Sequence, residues 1–246
     1  MSALDDAAGL ENRMTLVEHL RELRSRLFIS LLSIVVASVI AFIFWNKVSG
    51  YLLDYYRDAA NDSNRKFPTF SPLDGLGNRL KVSGYLGLFG SSPVWLWEVW
   101  RFITPGLKAK EKKYAIPFVF SSVLLFIGGA AVALLTLPKG LEFLVEVAGN
   151  TQEPFWTAKE FVSLVTLIVL AFGFSFLFPV VLVFLELVNL VTPRQLLARW
   201  RYAIVVIFVL AAVITPSQDP FTLFAMGVPM ILFYFIAILI GRILKK

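Results

Sequence analysis

Five stretches of this chain contain no aspartate, glutamate, lysine or arginine: 27–45, 114–138, 161–185, 202–218 and 220–241, of 19, 25, 25, 17 and 22 residues. A bilayer core of ~30 Å is crossed by ~20 helical residues, and a backbone in lipid must satisfy its own hydrogen bonds. Such runs therefore predict membrane-spanning helices. A sixth run, 82–97, stops at Glu98 after 16 residues, but the apolar pattern resumes through Val99 and Trp100. The expected fold is an all-α integral membrane protein with six transmembrane helices, near 27–45, 78–100, 114–137, 161–191, 202–216 and 221–241. They form a single membrane domain over 15–242, between a flexible tail at 1–14 and a short basic tail at 243–246. A composition of 58% hydrophobic and 16% charged residues agrees, and it excludes an ordinary soluble domain.

The charged residues set the orientation. Lysine and arginine near a span resist translocation, so the side richer in them faces the cytoplasm. With the N-terminus inside, the inner segments hold 15 of the 23 basic residues, among them Arg21, Arg24, Arg26, Lys108, Lys110, Lys112, Lys113, Arg194 and Arg242. The outer segments hold the other eight, diluted by acids such as Asp54, Asp62, Asp74, Glu142 and Glu153. Both termini are thus expected in the cytoplasm. The net charge of +6 reads as topology rather than nucleic-acid binding. The first 26 residues are charged and lack an apolar core, so no cleavable secretory signal is expected there. With no cysteine and one histidine, His19, disulfides, thiolate metal sites and redox pairs are excluded, and no cofactor is expected.

The loops differ in size. The first outer loop is long, with Tyr51, Leu52, Leu53, Tyr55 and Tyr56 early in it, which predicts a short interfacial helix. In the second, Leu141, Phe143, Leu144 and Val147 recur at helical spacing and predict another helix on the outer surface, so that the two loops form a cap. Thr215-Pro216-Ser217 and Asp219-Pro220 interrupt the last apolar region, leaving the fifth and sixth spans short.

Thr15 and Glu18 have capping-box spacing, and Leu16, Leu20, Leu23 and Leu27 follow at spacings of four, three and four. This predicts an amphipathic helix before the first span, with His19 and Glu22 neighbours on one face. From composition alone its charges suit a solvated anchor with internal ion pairs as well as a binding face. Glu111, one acid among four lysines in the first inner loop, is equally open between charge neutralisation and ligand binding.

The string from Glu18 to Leu27, E-H-L-R-E-L-R-S-R-L, resembles the N-terminal motif of TatC, the six-span receptor family of the twin-arginine protein translocase. Trp100-Arg101-Phe102, then Pro105-Gly106-Leu107 and Glu111, is similar to that family's first cytoplasmic loop. Further matches lie at Ala171-Phe172-Gly173 with Ser175, Phe176 and Pro179, and at Thr215 to Pro220 with Val228-Pro229-Met230. The resemblance implies binding of twin-arginine signal peptides on folded cargo. It also implies recruitment of small single-span subunits of the TatA and TatB type, self-association in a receptor complex, and a place in the cytoplasmic membrane. It assigns peptide binding to Glu22 and Glu111, with His19, Arg24 and Phe102 shaping the site. A planar guanidinium is best answered by a carboxylate, and an arginine pair by two. Thr215, Ser217 and Asp219 are expected to dock the partners.

The chain departs from the family at Leu177 and Leu223, where polar residues are common. Glu186 lies nine positions after Leu177, on the opposite face of a continuous helix. It is either a functional intramembrane acid or a glutamate snorkelling to the inner interface. The competing function is a secondary transporter or channel for small solutes, which the scarcity of ionisable residues in mid-span argues against. An intramembrane hydrolase is weaker still, because no Ser-His, Asp-Asp or H-E-x-x-H arrangement is present and no catalytic residue is expected.

Overall fold

A computed structural model of the chain describes residues 16–60, 72–106, 112–148, 157–215 and 219–244, and among these all regular structure is helical. Helix α1 (Leu16–Ile43) runs 28 residues without a break, so the amphipathic segment and the first apolar run are one rod. Glu22 accordingly sits within that rod rather than at the end of a separate surface helix. Thr15, the expected cap, lies outside the described residues. Helix α2 (Trp45–Ala60) is the helix expected in the following loop, and its Leu53 rests on the core.

The second apolar region is two helices, α3 (Pro72–Gly90) and α4 (Ser92–Ile103), not one. Pro93 accompanies the break: it has no N–H to continue the ladder and its ring crowds the preceding turn. Side chains near the joint donate to carbonyls of the last turn of α3. Ser91 Oγ donates to Gly87 O at 2.7 Å and the Trp95 indole N–H to Leu88 O at 2.9 Å.

Helix α5 (Ala115–Ala148) is 34 residues long, about 51 Å at 1.5 Å per residue. It passes through Pro138, so the predicted second surface helix is a continuation of α5. The reason is packing: Leu141 is buried, Phe143 meets Phe221 edge-on at 6.3 Å, and Gly140 faces Asp219 and Thr222. The fourth apolar run divides into α6 (Ala158–Ser175) and α7 (Phe178–Leu187), with Pro179 in the first turn of α7. Helix α7 ends on Asn189, at φ 61°, with Leu190 N–H donating to Leu185 O and Asn189 N–H to Glu186 O. That is the Schellman pattern, and asparagine is one of the few residues tolerated in its left-handed position.

After α8 (Pro193–Ala198), capped by Thr192 and Gln195, come α9 (Trp200–Ile214) and α10 (Pro220–Leu244). The expectation of two short spans holds for α9, with 15 residues, and fails for α10, with 25. Asp219 starts α10 at once, accepting the Thr222 N–H at 2.7 Å and the Thr222 hydroxyl, and the helix continues past Gly241. Among the described residues, four helical stretches are long and apolar enough to cross a membrane: Val17–Ile43, Lys112–Phe143, Ala158–Leu187 and Pro220–Ile243.

Close packing replaces hydrophobic collapse as the organising force between such helices, because lipid is as apolar as leucine. A Cβ at Gly87 would lie 2.6 Å from the Ser38 N and 2.8 Å from Ile34 O, so glycine lets α3 touch the α1 backbone. Gly129 does the same for α5 against α6, where a Cβ would lie 2.6 Å from Phe172 O. Helix α1 packs chiefly on α3 and α4, and α9 chiefly on α10, making these the two edges of the bundle. Among the described side chains of α1 none is buried, and most of the apolar ones are exposed along its length. Arg79 holds the far end of α1, donating to Phe42 O at 2.8 and 3.3 Å with its guanidinium 3.9 Å over the Phe42 ring. A cation there complements the negative end of the helix dipole.

Candidate functional site

The start of α1 and the end of α4 meet at one end of the bundle. Trp100 anchors α4 there: its indole N–H donates to Ser122 Oγ at 3.1 Å, and its ring stacks on Phe118 at 4.7 Å. Two residues on, Phe102 stacks on the His19 imidazole with ring centroids 4.3 Å apart and planes 16° from parallel. The structure therefore brings His19 and Phe102 into contact. This stack and the ion pair from Arg26 to Glu98 fix the register of α1 against α4 on the face that carries Glu22.

Glu22 is half-buried and engaged. Its Oε1 accepts from Arg26 Nη2 at 3.1 Å, while Arg26 Nη1 reaches Glu98 Oε2, also at 3.1 Å. One guanidinium thus bridges two carboxylates, and the side chains are 16%, 18% and 7% exposed for Glu22, Arg26 and Glu98. Glu22 Oε2 and Arg26 Nε are shielded from solvent and have no hydrogen-bond partner among the described residues. Arg24 and Arg21 are exposed beside this cluster. Glu111 lies outside the described residues; Lys112 and Lys113, which follow it, are exposed at the start of α5.

Arg26 and Glu98 were missing from the sequence-predicted set. The Glu22 to Arg26 spacing of four was a readable signal for a helical ion pair. Glu98 was visible only as an acid interrupting an apolar run. Nothing in the sequence links it to a residue 72 positions away.

The other candidate residues lie elsewhere. Thr215 and Asp219 are buried: the Thr215 hydroxyl donates to Ala211 O at 2.5 Å, and Asp219 caps α10. They hold the shape of the turn between α9 and α10, and Ser217 lies outside the described residues. Glu186 is wholly buried where α7 meets α10, its carboxylate filling the space that a side chain at Gly241 would take. Such enclosure is at odds with a glutamate snorkelling toward water. The helix break at Phe176 and Leu177 also removes the continuous helix on which its opposite-face placement relied. A cavity of about 410 Å³ lies between α5, α7 and α10, lined by Tyr114, Phe118, Pro179, Val183, Phe233 and Ala237 among others. Its lining is almost entirely apolar, which suits no path for a polar solute.

Comparison with known proteins agrees with this geometry. The family model for the Sec-independent protein translocase protein TatC matches residues 18–229. A TatC protein of Frankia casuarinae is 41% identical over 243 residues, covering 94% of this chain; this chain spans 66% of that relative's length. The TatC of Aquifex aeolicus is 38% identical, with 95% of this chain and 97% of the relative covered. A crystal structure of the twin arginine translocase receptor TatC superposes with a TM-score of 0.74 at 37% identity, covering 93% of this chain and 100% of the other. The motif at the start of α1, the frame that Trp100 and Phe102 build, and near full-length similarity converge: this chain belongs to the Sec-independent protein translocase TatC family.

Proposed function

We propose that this chain is the receptor subunit that binds twin-arginine signal peptides of folded proteins and, with small single-span subunits of the TatA and TatB type, exports them across the cytoplasmic membrane. The observation that carries the reading is Glu22, a half-buried carboxylate that already holds a guanidinium at 3.1 Å in a frame fixed by the His19 and Phe102 stack. A site that binds Arg26 in this way has the chemistry to bind an arginine supplied by a ligand. Glu111, in the loop between α4 and α5, takes the second arginine, and exposed Arg24 borders the site. The solved relative's role as a twin arginine translocase receptor supports the same reading.

In this reading the bundle crosses the membrane six times with both termini in the cytoplasm; α3 with α4 forms the second crossing and α9 the fifth. The turn held by Thr215 and Asp219, together with Ser217, meets the small partner subunits, and copies of the chain associate in the receptor complex. The test is photo-crosslinking of a signal peptide to the protein in proteoliposomes. A twin-arginine peptide gives the crosslink, and replacing the arginine pair by a lysine pair abolishes it. An equal crosslink from both peptides would overturn the proposal.

A further inference from the structure

The carboxylate assigned to the ligand is already occupied. Arg26 spans Glu22 and Glu98 through the two ends of one guanidinium, at 3.1 Å each. An incoming arginine that pairs with Glu22 has to compete with Arg26. From this geometry, and resting on the reading of Glu22 given above, we infer that Arg26 is a built-in competitor for the peptide site and that Glu98 is the carboxylate that keeps Arg26 when the ligand takes Glu22.

Three features carry this. Glu98 is the most enclosed of the three side chains, at 7% exposed, and it pairs with the opposite end of the guanidinium from Glu22. Arg26 can therefore release Glu22 without becoming an unpaired buried cation, a state that would cost far more than the exchange. Arg26 Nε, shielded and without a hydrogen-bond partner, has capacity for a second bond, so the guanidinium can turn to face Glu98 with two donors. Glu22 Oε2 is likewise shielded and without a partner, leaving an acceptor site that one Arg26 bond does not fill. An arginine presenting its fork edge-on fills both oxygens of Glu22, where Arg26 fills one. The exchange thus replaces a single contact by a bidentate one and keeps every charge paired.

The consequence is a pair of opposite effects from two residues of one cluster. Removing the competitor, as in Arg26→Gln, frees Glu22 and tightens binding of a twin-arginine signal peptide by about three- to tenfold. Removing the alternative partner, as in Glu98→Gln, leaves Glu22 as the one carboxylate Arg26 is seen to bind, and weakens binding by a similar factor. A merely structural role for the ion pairs moves both variants in the same direction. Arg26→Gln strands Glu98, so the double variant Arg26→Gln with Glu98→Gln supplies a cluster without a stranded charge, and it also binds more tightly than the parent.

The experiment measures the dissociation constant of a synthetic twin-arginine signal peptide for the full-length protein in proteoliposomes, for these variants and for Glu22→Gln. Tightening in the single and double Arg26 variants, with weakening in Glu98→Gln, supports the inference. Shifts of one sign throughout, or none, while Glu22→Gln loses binding, overturn it and leave the receptor reading standing. Unchanged affinity in Glu22→Gln removes the receptor site itself, and the competitor with it.

Discussion

Glu22 shows how far a single side chain's role depends on its neighbours. A charge-assisted hydrogen bond contributes roughly 1.5 to 3 kcal/mol, so loss of the carboxylate charge in Glu22→Gln is expected to weaken signal-peptide binding by about ten- to hundredfold. The same change in Glu111 should act similarly, and Glu111→Lys more strongly, because repulsion is added to the loss. From sequence both acids read as freely exposed, with little consequence for stability. For Glu22 that expectation needs correction: its side chain is 16% exposed and pairs within α1 with Arg26, the guanidinium that also reaches Glu98 on α4, so glutamine there also removes one of the two carboxylates that hold that guanidinium in place. Glu22→Gln is accordingly expected to lower the thermal midpoint slightly as well as the affinity. Melting curves and peptide titrations on the same preparation check both, and full affinity would sink the site assignment.

At the scale of elements, helix ends and breaks decide where the side chains go. Asn189 ends α7 with a left-handed backbone, so Asn189→Val should destabilise the protein by about 1 to 2 kcal/mol while Asn189→Gly is tolerated. Thermal denaturation in detergent that ranks the two variants the other way would refute this account of the helix end. Apolar run length and period are local properties, and they made α1, α5, α6 and α9 readable. What decides a break is whether a proline interrupts a helix that neighbours can hold together. Pro93 and Pro179 accompany breaks, whereas Pro138 and Pro229 lie inside unbroken helices, and the sequence around them does not distinguish the two cases. Likewise His19 and Phe102 were legible as members of one site through the family motifs, but the stack between them and the bridge from Arg26 to Glu98 are products of tertiary packing. The short α9 carries a further expectation. Fifteen residues span about 22 Å, less than the ~30 Å hydrocarbon core, so the bilayer should thin beside α9 and not beside the 25-residue α10. Spin labels on lipid chains, compared between the α9 face and the α5 face, test it, and equal thickness at both would end the claim.

For the whole molecule, the distribution of charge and the direction of the helices have to agree. The start of α1, the end of α4, the start of α5, the end of α7, the start of α9 and the end of α10 fall on one side if each apolar region crosses once. That side carries 15 of the 23 lysines and arginines, so the positive-inside rule predicts a cytoplasmic location for it, and with it for Glu22 and Glu111. In the proposed function a signal peptide on a folded cargo protein approaches from the same compartment, which makes topology a condition of the proposed binding chemistry. The chain contains no cysteine, so single cysteines can be introduced into a silent background and labelled with a membrane-impermeant maleimide. Cysteines replacing Asp62 and Asn150 should label from outside intact cells, and those replacing Lys108 and Leu196 should label after the membrane is permeabilised. Labelling of position 108 from outside would place the Glu111 loop across the bilayer from the peptide, and the two-carboxylate site could not then form.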